Sequence, residues 1–363
     1  MELETVQIET YLAGVMGQQV QIRQIGVLGQ KDTGAAALKA FGYGQPVYVD
    51  YQADNAAPQR VVLRQVKRNG FGREMSSDRA AAVWLDFHTF NHLPHHVPAR
   101  DMVAIRGDGH LTSVGQAAEL VLVTDYAPGV PYAQDLMRIR DTGYIEEQDC
   151  RRARALANYL AAIHARKHDD PLLWRRRVRD LIGHGEGIMG LTDSYPADFP
   201  LISPADLCAL EQKANEWRWR LKPLTHRLSQ IHGDFHPFNV LFSEDDTFTL
   251  IDRSRGAWGE PADDVSCMTI NYLFFSLQRY GRLDGPFQDL YQAFWETYLR
   301  QTEDRGYPAV IQPWYAWRAL VLASPQWYNV TDEVRWKLLA FARTVLDTPH
   351  FDWRAINRYL GDA

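Results

Sequence analysis

Cysteine is scarce in this chain. There are three, Cys150, Cys208 and Cys267, and no two of them form a CxxC pair. An odd and scattered set of thiols makes a poor disulfide framework, and it is typical of a protein kept in a reducing compartment. We therefore expect a cytoplasmic protein.

Long apolar runs are also missing. No segment approaches the roughly 18 to 20 uninterrupted apolar residues of a membrane span. The first residues, MELETVQIETYLAGVMGQQ, carry acidic side chains and lack the basic start and apolar centre of a signal peptide. These absences predict a soluble intracellular protein that has no membrane partner.

Blocks of positive charge are the third absence. The formal net charge is -6, which argues against a dedicated nucleic-acid binder. The densest basic stretch, WRRRVRD at 174–180, is interpreted as one solvated helix face. What remains is ordinary globular composition, 46% hydrophobic and 23% charged, which is enough for a sizeable core.

The secondary-structure pattern predicts two lobes, as the length of 363 residues also does. Four runs rich in β-branched and aromatic residues read as strands, at 20–29, 45–52, 59–67 and 118–126. A helix between the last two runs begins at a Ser/Asp cap near residue 76 and ends at Pro94. Beyond APGVPY the apolar spacing is helical. We expect an α+β protein with a β-rich N-terminal lobe at 1–127 and a larger helical lobe at 128–363.

The segment IHGDFHPFNVLF at 231–242 is unusually polar between strand-like runs, and three interpretations compete for it. His232 and His236 are spaced like two zinc ligands on a helix, but Gly233 and Pro237 make this a poor helix, and no third ligand cluster accompanies them. A turn with polar decoration explains the Gly and Pro. It leaves the remaining polar residues unexplained.

A catalytic loop explains those residues. Phosphoryl transfer needs a carboxylate that accepts the attacking hydroxyl's proton and oxygen ligands for Mg²⁺. Protein kinases supply them as Asp-x4-Asn followed by a metal-binding Asp. Asp234 and Asn239 have this spacing. Asp252 follows the strand-like FTLI, and Asn239 precedes VLF, so we expect both ligands at neighbouring strand ends.

These motifs resemble the aminoglycoside phosphotransferase and choline-kinase-like family, which shares the protein-kinase fold. The resemblance spans roughly residues 20 to 270, and LANYLAAIHA resembles the family helix that ends in Leu-His. The chain departs from the family at Phe238 (often Gly), Arg253 (often Trp) and Glu260 (Asp). The matching positions are His232, Gly233, Asp234 and Asn239 in the loop, then Asp252, and Asp264 as the last residue of GEPADD.

The resemblance implies a bilobal kinase-like fold with the site in the cleft. It also implies a small-molecule kinase that transfers the γ-phosphate of ATP to a hydroxyl of a small acceptor, such as an amino sugar, aminoglycoside, sugar or amino alcohol. Asp234 would accept or orient the hydroxyl proton, with His232 stabilising the catalytic loop. Asn239 and Asp252 would hold Mg²⁺.

Two other functions compete with this one. A protein kinase is disfavoured because Gly233 replaces the Arg of the kinase loop and only eleven residues separate Asp252 from Asp264, which leaves no room for a peptide-docking segment. A pseudokinase, a nucleotide-binding regulatory module without phosphotransfer, stays open because no clean GxGxxG appears. The glycine loop should lie within 26–46, where FGYG at 41–44 is equally compatible with a hairpin turn.

The nucleotide-binding side chains are less sharply specified. The run VVLR at 61–64 places Arg64 where kinases have the strand lysine. Alternation puts Lys67 on the opposite face, so we favour Arg64, with Lys67 as the alternative. Asp78 is either the acidic partner of this cation or a helix cap. By resemblance, the backbone of Asp125 and Ala127 would contact the adenine edge.

Tryptophan is concentrated late in the chain. Seven of the eleven lie after residue 257. Their helical spacing indicates that most belong to the core of the helical lobe, with stacking on a substrate as the alternative.

Overall fold

The computed structural model describes residues 4–28, 46–54, 56–253 and 255–361. The chain divides into two compact units, Met1–Thr124 and Asp125–Ala363. The boundary expected from the sequence, after residue 127, lies three residues further along the chain. Among the described residues, no helix combines the length and apolar character needed to cross a bilayer.

The first unit is built on a three-stranded antiparallel sheet in the order β1-β2-β3. The N-terminal helix, which the sequence pattern did not reveal, covers this sheet by packing Ile8 and Leu12 against Val49 and Tyr51. The elements of this unit are α1 (Thr5–Met16), β1 (Val20–Val27), β2 (Val47–Ala53), β3 (Gln59–Leu63), α2 (Ser76–Phe90), β4 (Val103–Ile105) and β5 (Leu111–Ser113).

The first three predicted strands and the predicted helix are confirmed, with limits that differ by a few residues. β3 ends at Leu63, so Arg64 and Lys67 follow the strand. The helix α2 ends at Phe90, before Pro94. Asp78 accepts a hydrogen bond from the N–H of Met75 at 2.6 Å, which is the geometry of a helix cap.

The fourth predicted strand, 118–126, is wrong. Residues 119–128 have no regular secondary structure, and Leu120, Val121, Leu122 and Val123 are 75–88% exposed. The composition favours a strand, but a strand also needs a neighbour that receives its backbone hydrogen bonds. No pairing partner for this run is found in the described part of the chain.

The second unit is mainly helical. Two small antiparallel sheets, in the orders β6-β8-β9 and β10-β7, carry the polar segment described below. The elements are β6 (Val130–Pro131), α3 (Tyr132–Thr142), α4 (Glu147–His164), α5 (Pro171–Gly183), α6 (Ile188–Thr192), α7 (Pro204–Leu221), β7 (Ser229–Gln230), β8 (Val240–Phe242), β9 (Phe248–Leu250), β10 (Trp258–Gly259), α8 (Pro261–Tyr280), α9 (Gly285–Thr302), α10 (Gln312–Ala323) and α11 (Asp332–Asp347), with 3₁₀ turns at Thr225–Arg227, Pro237–Asn239, Tyr307–Ala309 and Trp353–Tyr359.

The helix α8 lies at the centre of this unit, and its residues are buried from Pro261 to Leu277. Its start is specified locally: Pro261 occupies the first turn, and the Glu260 side chain accepts the N–H of Ala262 at 3.3 Å. It contacts α3, α9 and α10. The core role predicted for most late tryptophans is confirmed for Trp295, Trp314, Trp317 and Trp353, all buried.

Candidate active site

The polar segment forms a loop between β7 and β8. Gly233 has φ of +90°, a backbone conformation that favours glycine, and a Cβ at this position would make a tight contact of 3.1 Å with the Cβ of Arg255. Pro237 opens a 3₁₀ turn that ends at Asn239, and His236 precedes it. Gly and Pro therefore shape the loop, while the polar side chains remain available for other contacts.

Asp264 holds the start of this loop from the first turn of α8. Its carboxylate accepts the N–H of His232 at 2.8 Å and that of Gly233 at 2.7 Å. His164, the last residue of α4, lies 3.2 Å from the same carboxylate through Nε2. Burial acts to raise the pKa of Asp264, but these hydrogen bonds outweigh it and hold that pKa below its usual range. Three sequence motifs therefore meet at the Asp264 carboxylate: the start of the loop, the GEPADD segment that contains Asp264 itself, and the end of the LANYLAAIHA helix.

The Asp234 side chain is ion-paired with Arg318, a residue of α10. The guanidinium Nη1 lies 2.7 Å from Oδ1 of Asp234. Burial acts to raise the pKa of Asp234, and the positive charge of Arg318 more than offsets this, so that the pKa is lowered. Asp234 is therefore ionised at neutral pH.

Sequence reasoning missed Arg318, which lies 84 residues after Asp234, beyond the stretch of roughly 20 to 270 over which the sequence resembles the family. A signal was present. The α10 sequence QPWYAWRALVLA carries one charged residue in an otherwise largely apolar helix, and charge at such a position is paired when it is buried.

Asp263 forms a second ionic centre beneath the loop. Its side chain is fully buried and accepts Arg318 Nη2 at 2.7 Å and Arg177 Nη2 at 3.3 Å. Burial raises the pKa of Asp263, and the two arginines only partly offset this. Arg177 comes from the WRRRVRD stretch. The interpretation of that stretch as one solvated face is therefore wrong for Arg177, because this side chain is needed to neutralise a buried carboxylate.

The two loop histidines accept hydrogen bonds from backbone N–H groups of the loop. His232 is buried, and its Nδ1 accepts the N–H of Asp234 at 3.3 Å. His236 accepts the N–H of Phe238 at 3.2 Å through Nδ1, and its Nε2 lies 3.6 Å from Oδ2 of Asp234. Burial lowers the pKa of His236. Within the described ranges, no group of three or more His, Cys, Asp or Glu side chains could hold a metal ion.

Asn239 and Asp252 lie at the same end of the β8–β9 hairpin. Val240 pairs with Leu250, and the N–H of Ile251 donates to the carbonyl of Asn239 at 3.1 Å. The amide Nδ2 of Asn239 donates to the carbonyl of Asp234 at 3.1 Å. Because Nδ2 is used in this bond, the amide oxygen of Asn239 is the side-chain atom that can coordinate a cation.

Asp252 is exposed in a strained backbone conformation. Its φ is +59°, a region that non-glycine residues adopt at a cost and that occurs preferentially at functional sites. Together with His232 and Arg253 it borders a cavity of about 180 Å³. Arg253, one of the departures from the family pattern, donates to the carbonyl of Ile231 at 2.7 Å, so it stabilises the strand that leads into the loop.

The residues predicted to bind the nucleotide are distributed over both units. Arg64 and Lys67 belong to the first unit, and both side chains are exposed. Asp125, exposed, and Ala127 stand in the irregular segment at the start of the second unit. The predicted glycine loop, including FGYG at 41–44, falls almost entirely within 29–45, outside the described residues.

Comparison with known proteins decides the family. The sequence profile described as the phosphotransferase enzyme family matches residues 50–310, more than half of the chain. The chain belongs to the phosphotransferase enzyme family. This membership confirms the resemblance found in the sequence and the α+β, bilobal protein-kinase-like fold class. It also confirms the predicted enzyme class, an ATP-dependent phosphotransferase with an alcohol group as acceptor.

The solved structures that match the chain are distant in sequence. They include a glucosamine kinase in complex with glucosamine, ADP and inorganic phosphate (16% identity, 63% of this chain and 56% of that chain, TM-score 0.33). An amicoumacin kinase in complex with AMP-PNP, Ca²⁺ and its ligand matches at 15% identity, with 92% of each chain and TM-score 0.42. A Plasmodium vivax ethanolamine kinase matches at 12% identity, with 96% of this chain, 82% of that chain and TM-score 0.35. No curated protein sequence matches this member of the phosphotransferase enzyme family.

Proposed function

We propose that this phosphotransferase is a small-molecule kinase that transfers the γ-phosphate of ATP to a hydroxyl of an amino sugar, an aminoglycoside, a sugar or an amino alcohol. The observation that carries the proposal is the common placement of Asp234, Asn239 and Asp252 around one loop and one hairpin end. A proton acceptor and two oxygen ligands in this order are what phosphoryl transfer requires.

In this mechanism Asp234 acts on the acceptor. The ionised carboxylate accepts a hydrogen bond from the attacking hydroxyl, and it takes the proton as the new O–P bond forms and the bond to ADP breaks. Because Arg318 lowers the pKa of Asp234, we expect orientation of the hydroxyl to contribute more than proton abstraction before attack. His232 stabilises the loop and takes no part in the chemistry.

Magnesium fits the donor set at the hairpin end. Oxygen atoms of Asn239 and Asp252 are the hard ligands that this ion prefers, and with only two protein ligands the remaining positions would be completed by phosphate oxygens and water. Charge neutralisation of the nucleotide's phosphates is the chemistry that a bound Mg²⁺ supplies at such a site.

The proposed nucleotide contacts lie outside the loop. Arg64, or Lys67 in its place, would bind the phosphates with a positive charge. The backbone of Asp125 and Ala127 would bind the adenine edge. This assigns nucleotide binding to residues 1–127 and acceptor binding with catalysis to 128–363.

The test is a screen of acceptors for ADP release with MgATP. We expect ADP release that depends on one acceptor class and on Mg²⁺, and that falls by roughly 10²–10⁴-fold in Asp234→Asn. MgATP binding measured by calorimetry runs in parallel. Binding without ADP release for any acceptor would contradict the proposal and support a regulatory nucleotide-binding module.

A further inference from the structure

Arg318 makes contacts that set it apart from the other residues of α10. It is 6% exposed, and its guanidinium lies over the ring of Trp317 at 4.1 Å from the centroid. Through Nη1 it reaches Asp234, and through Nη2 it reaches Asp263 and the carbonyl of Gly233, the latter at 3.2 Å. One side chain therefore contacts both the backbone and the proposed proton acceptor of the loop.

These contacts leave the guanidinium little freedom. Asp263 is itself held by Arg177 from α5, so the far end of the bridge is anchored in the core. A planar guanidinium bonded in two directions has a defined orientation, unlike a single ammonium point charge. The position of Oδ1 of Asp234 is therefore set by elements outside the loop.

The two carboxylate oxygens of Asp234 therefore differ in their hydrogen-bond partners. Oδ1 is occupied by Arg318 at 2.7 Å. Oδ2 lies 3.6 Å from Nε2 of His236, which is beyond hydrogen-bond distance.

We propose that Arg318 is a positioning residue, which holds Oδ1 of Asp234 and thereby presents Oδ2 to the acceptor hydroxyl. The inference rests on the proposed function and adds to it a residue from the helical tail. Arg318 acts on the reaction only through Asp234 and does not touch the substrate. The hydrogen bonds of the Arg318 side chain go to Asp234, Gly233 and Asp263, and not to the side chains of Asn239 or Asp252.

Kinetics of Arg318→Ala provide the first measurement. We expect kcat to fall by roughly 10²-fold, because a displaced catalytic group costs about this factor. The affinity for MgATP should stay at the wild-type value, since the metal ligands are untouched. Guanidinium ion, added below denaturing concentration, should restore part of kcat by occupying the vacated position.

Arg318→Lys serves if the alanine variant does not fold. Lysine retains the charge between the two carboxylates but cannot donate to both with a planar fork. We expect an intermediate kcat with unchanged MgATP affinity. Wild-type kcat in Arg318→Lys, or in folded Arg318→Ala, would overturn the assignment.

Arg227→Ala is the matched control. Arg227 is similarly buried and also bridges two carboxylates, Glu260 at 2.6 Å and Asp304 at 2.8 Å, but it does not contact Asp234. We expect it to lower the thermal stability while kcat per folded molecule remains near wild type and does not respond to guanidinium. An equal, guanidinium-dependent loss of kcat in both variants would overturn the specific role of Arg318.

A double-variant cycle separates positioning from general stabilisation. If Arg318 works through Asp234, then adding Arg318→Ala to Asp234→Asn changes kcat no further. Additive losses would overturn the inference. A wild-type enzyme without acceptor-dependent ADP release would overturn the proposed function together with the inference, whereas an active enzyme whose Arg318 variants behave like wild type overturns the inference alone.

Discussion

At Asp234 two opposing effects act on one carboxylate. Burial disfavours its charge, and the neighbouring cation Arg318 favours it more strongly, which lowers the pKa. A carboxylate of low pKa is a weak base but a dependable hydrogen-bond acceptor at neutral pH. The side chain is thus suited to orient a hydroxyl and to receive its proton late in the transfer.

Replacing Asp234 with Asn keeps the size of the side chain and an oxygen for Arg318 while removing the negative charge. We expect turnover to fall by roughly 10²–10⁴-fold, the usual contribution of a general base, with MgATP binding retained. Steady-state kinetics and calorimetry on the same preparation measure both. Activity within about threefold of wild type would show that Asp234 is not the proton acceptor.

The two proposed metal ligands should respond unequally. Asp252→Ala removes a charged oxygen ligand, and we expect a marked loss of Mg²⁺-dependent ATP affinity. Asn239→Ala removes a neutral ligand, so its loss of affinity should be smaller. It should also lower kcat, because its amide donates to the carbonyl of Asp234 at 3.1 Å. Titration of MgATP into each variant tests this ranking, and unchanged binding by Asp252→Ala would contradict the metal assignment.

At the scale of elements, Asp264 in α8 connects α4 with the polar loop between β7 and β8 through hydrogen bonds. Replacing this residue by Asn weakens bonds to two backbone N–H groups and to His164. Breaking such a buried charged arrangement costs about 3 kcal/mol or more. We expect urea denaturation to show this loss at pH 7, together with lower turnover. A variant as stable as wild type would show that the loop is held elsewhere.

We also expect wild type and Asp264→Asn to differ in how their unfolding free energy depends on pH. The folded-state pKa of Asp264 is lowered, so its stabilisation is complete above the unfolded-state value of about 3.9 and disappears as the pH falls through that value towards the folded-state pKa. Wild type should therefore lose more unfolding free energy than Asp264→Asn between about pH 5 and pH 3. Parallel losses in the two proteins would contradict the assignment of this charge.

The position at which β3 ends affects the choice between Arg64 and Lys67 as the phosphate-binding cation. Alternation along a strand cannot rank Arg64 against Lys67, since both follow Leu63. We still expect Arg64→Ala to weaken ATP binding about 10- to 150-fold, the effect of losing a charge-assisted contact, because Arg64 directly follows the strand end. Lys67→Ala should bind ATP like wild type. The opposite ranking in ATP titrations would transfer the role to Lys67.

For the whole molecule, most local patterns predict the structure correctly, apart from the strand expected at 118–126 and the helix α1, whereas the long-range ion pairs could not be predicted. The loop, its spacing and the hairpin ends follow from Gly, Pro and alternating residues close together in sequence. The partners of Asp234 and Asp263 come from α10 and α5, and no periodicity reveals which distant charge meets which. The prediction of a strand that includes Leu120–Val123 is wrong for a related reason. Strand propensity does not supply a neighbouring strand to receive the backbone hydrogen bonds.

That exposed run predicts where proteases cut. Residues 119–128 lack regular structure and lie at the boundary of the two units, and unprotected backbone is cleaved first. Among the described residues, we expect brief chymotrypsin treatment to cut between Leu120 and Tyr126 before it cuts within any helix of the second unit. Mass spectrometry of the fragments identifies the sites. Earlier cleavage within α8 or α10 would contradict the burial described for them.

The ion pairs made by Arg318 also determine when the polar loop can complete its contacts during synthesis of the chain. The ribosome releases the catalytic loop and α8 well before α10, and during that interval Asp234 and Asp263 lack the cation that later joins them. Domains generally fold as their residues emerge. Arg177 is already present to pair with Asp263, but Asp234 cannot be buried beside Asp263 at low cost until Arg318 arrives. We therefore expect the pairing of Asp234 with its cation to form only after position 318 has left the exit tunnel, and a chain truncated within α9 to show no acceptor-dependent ADP release.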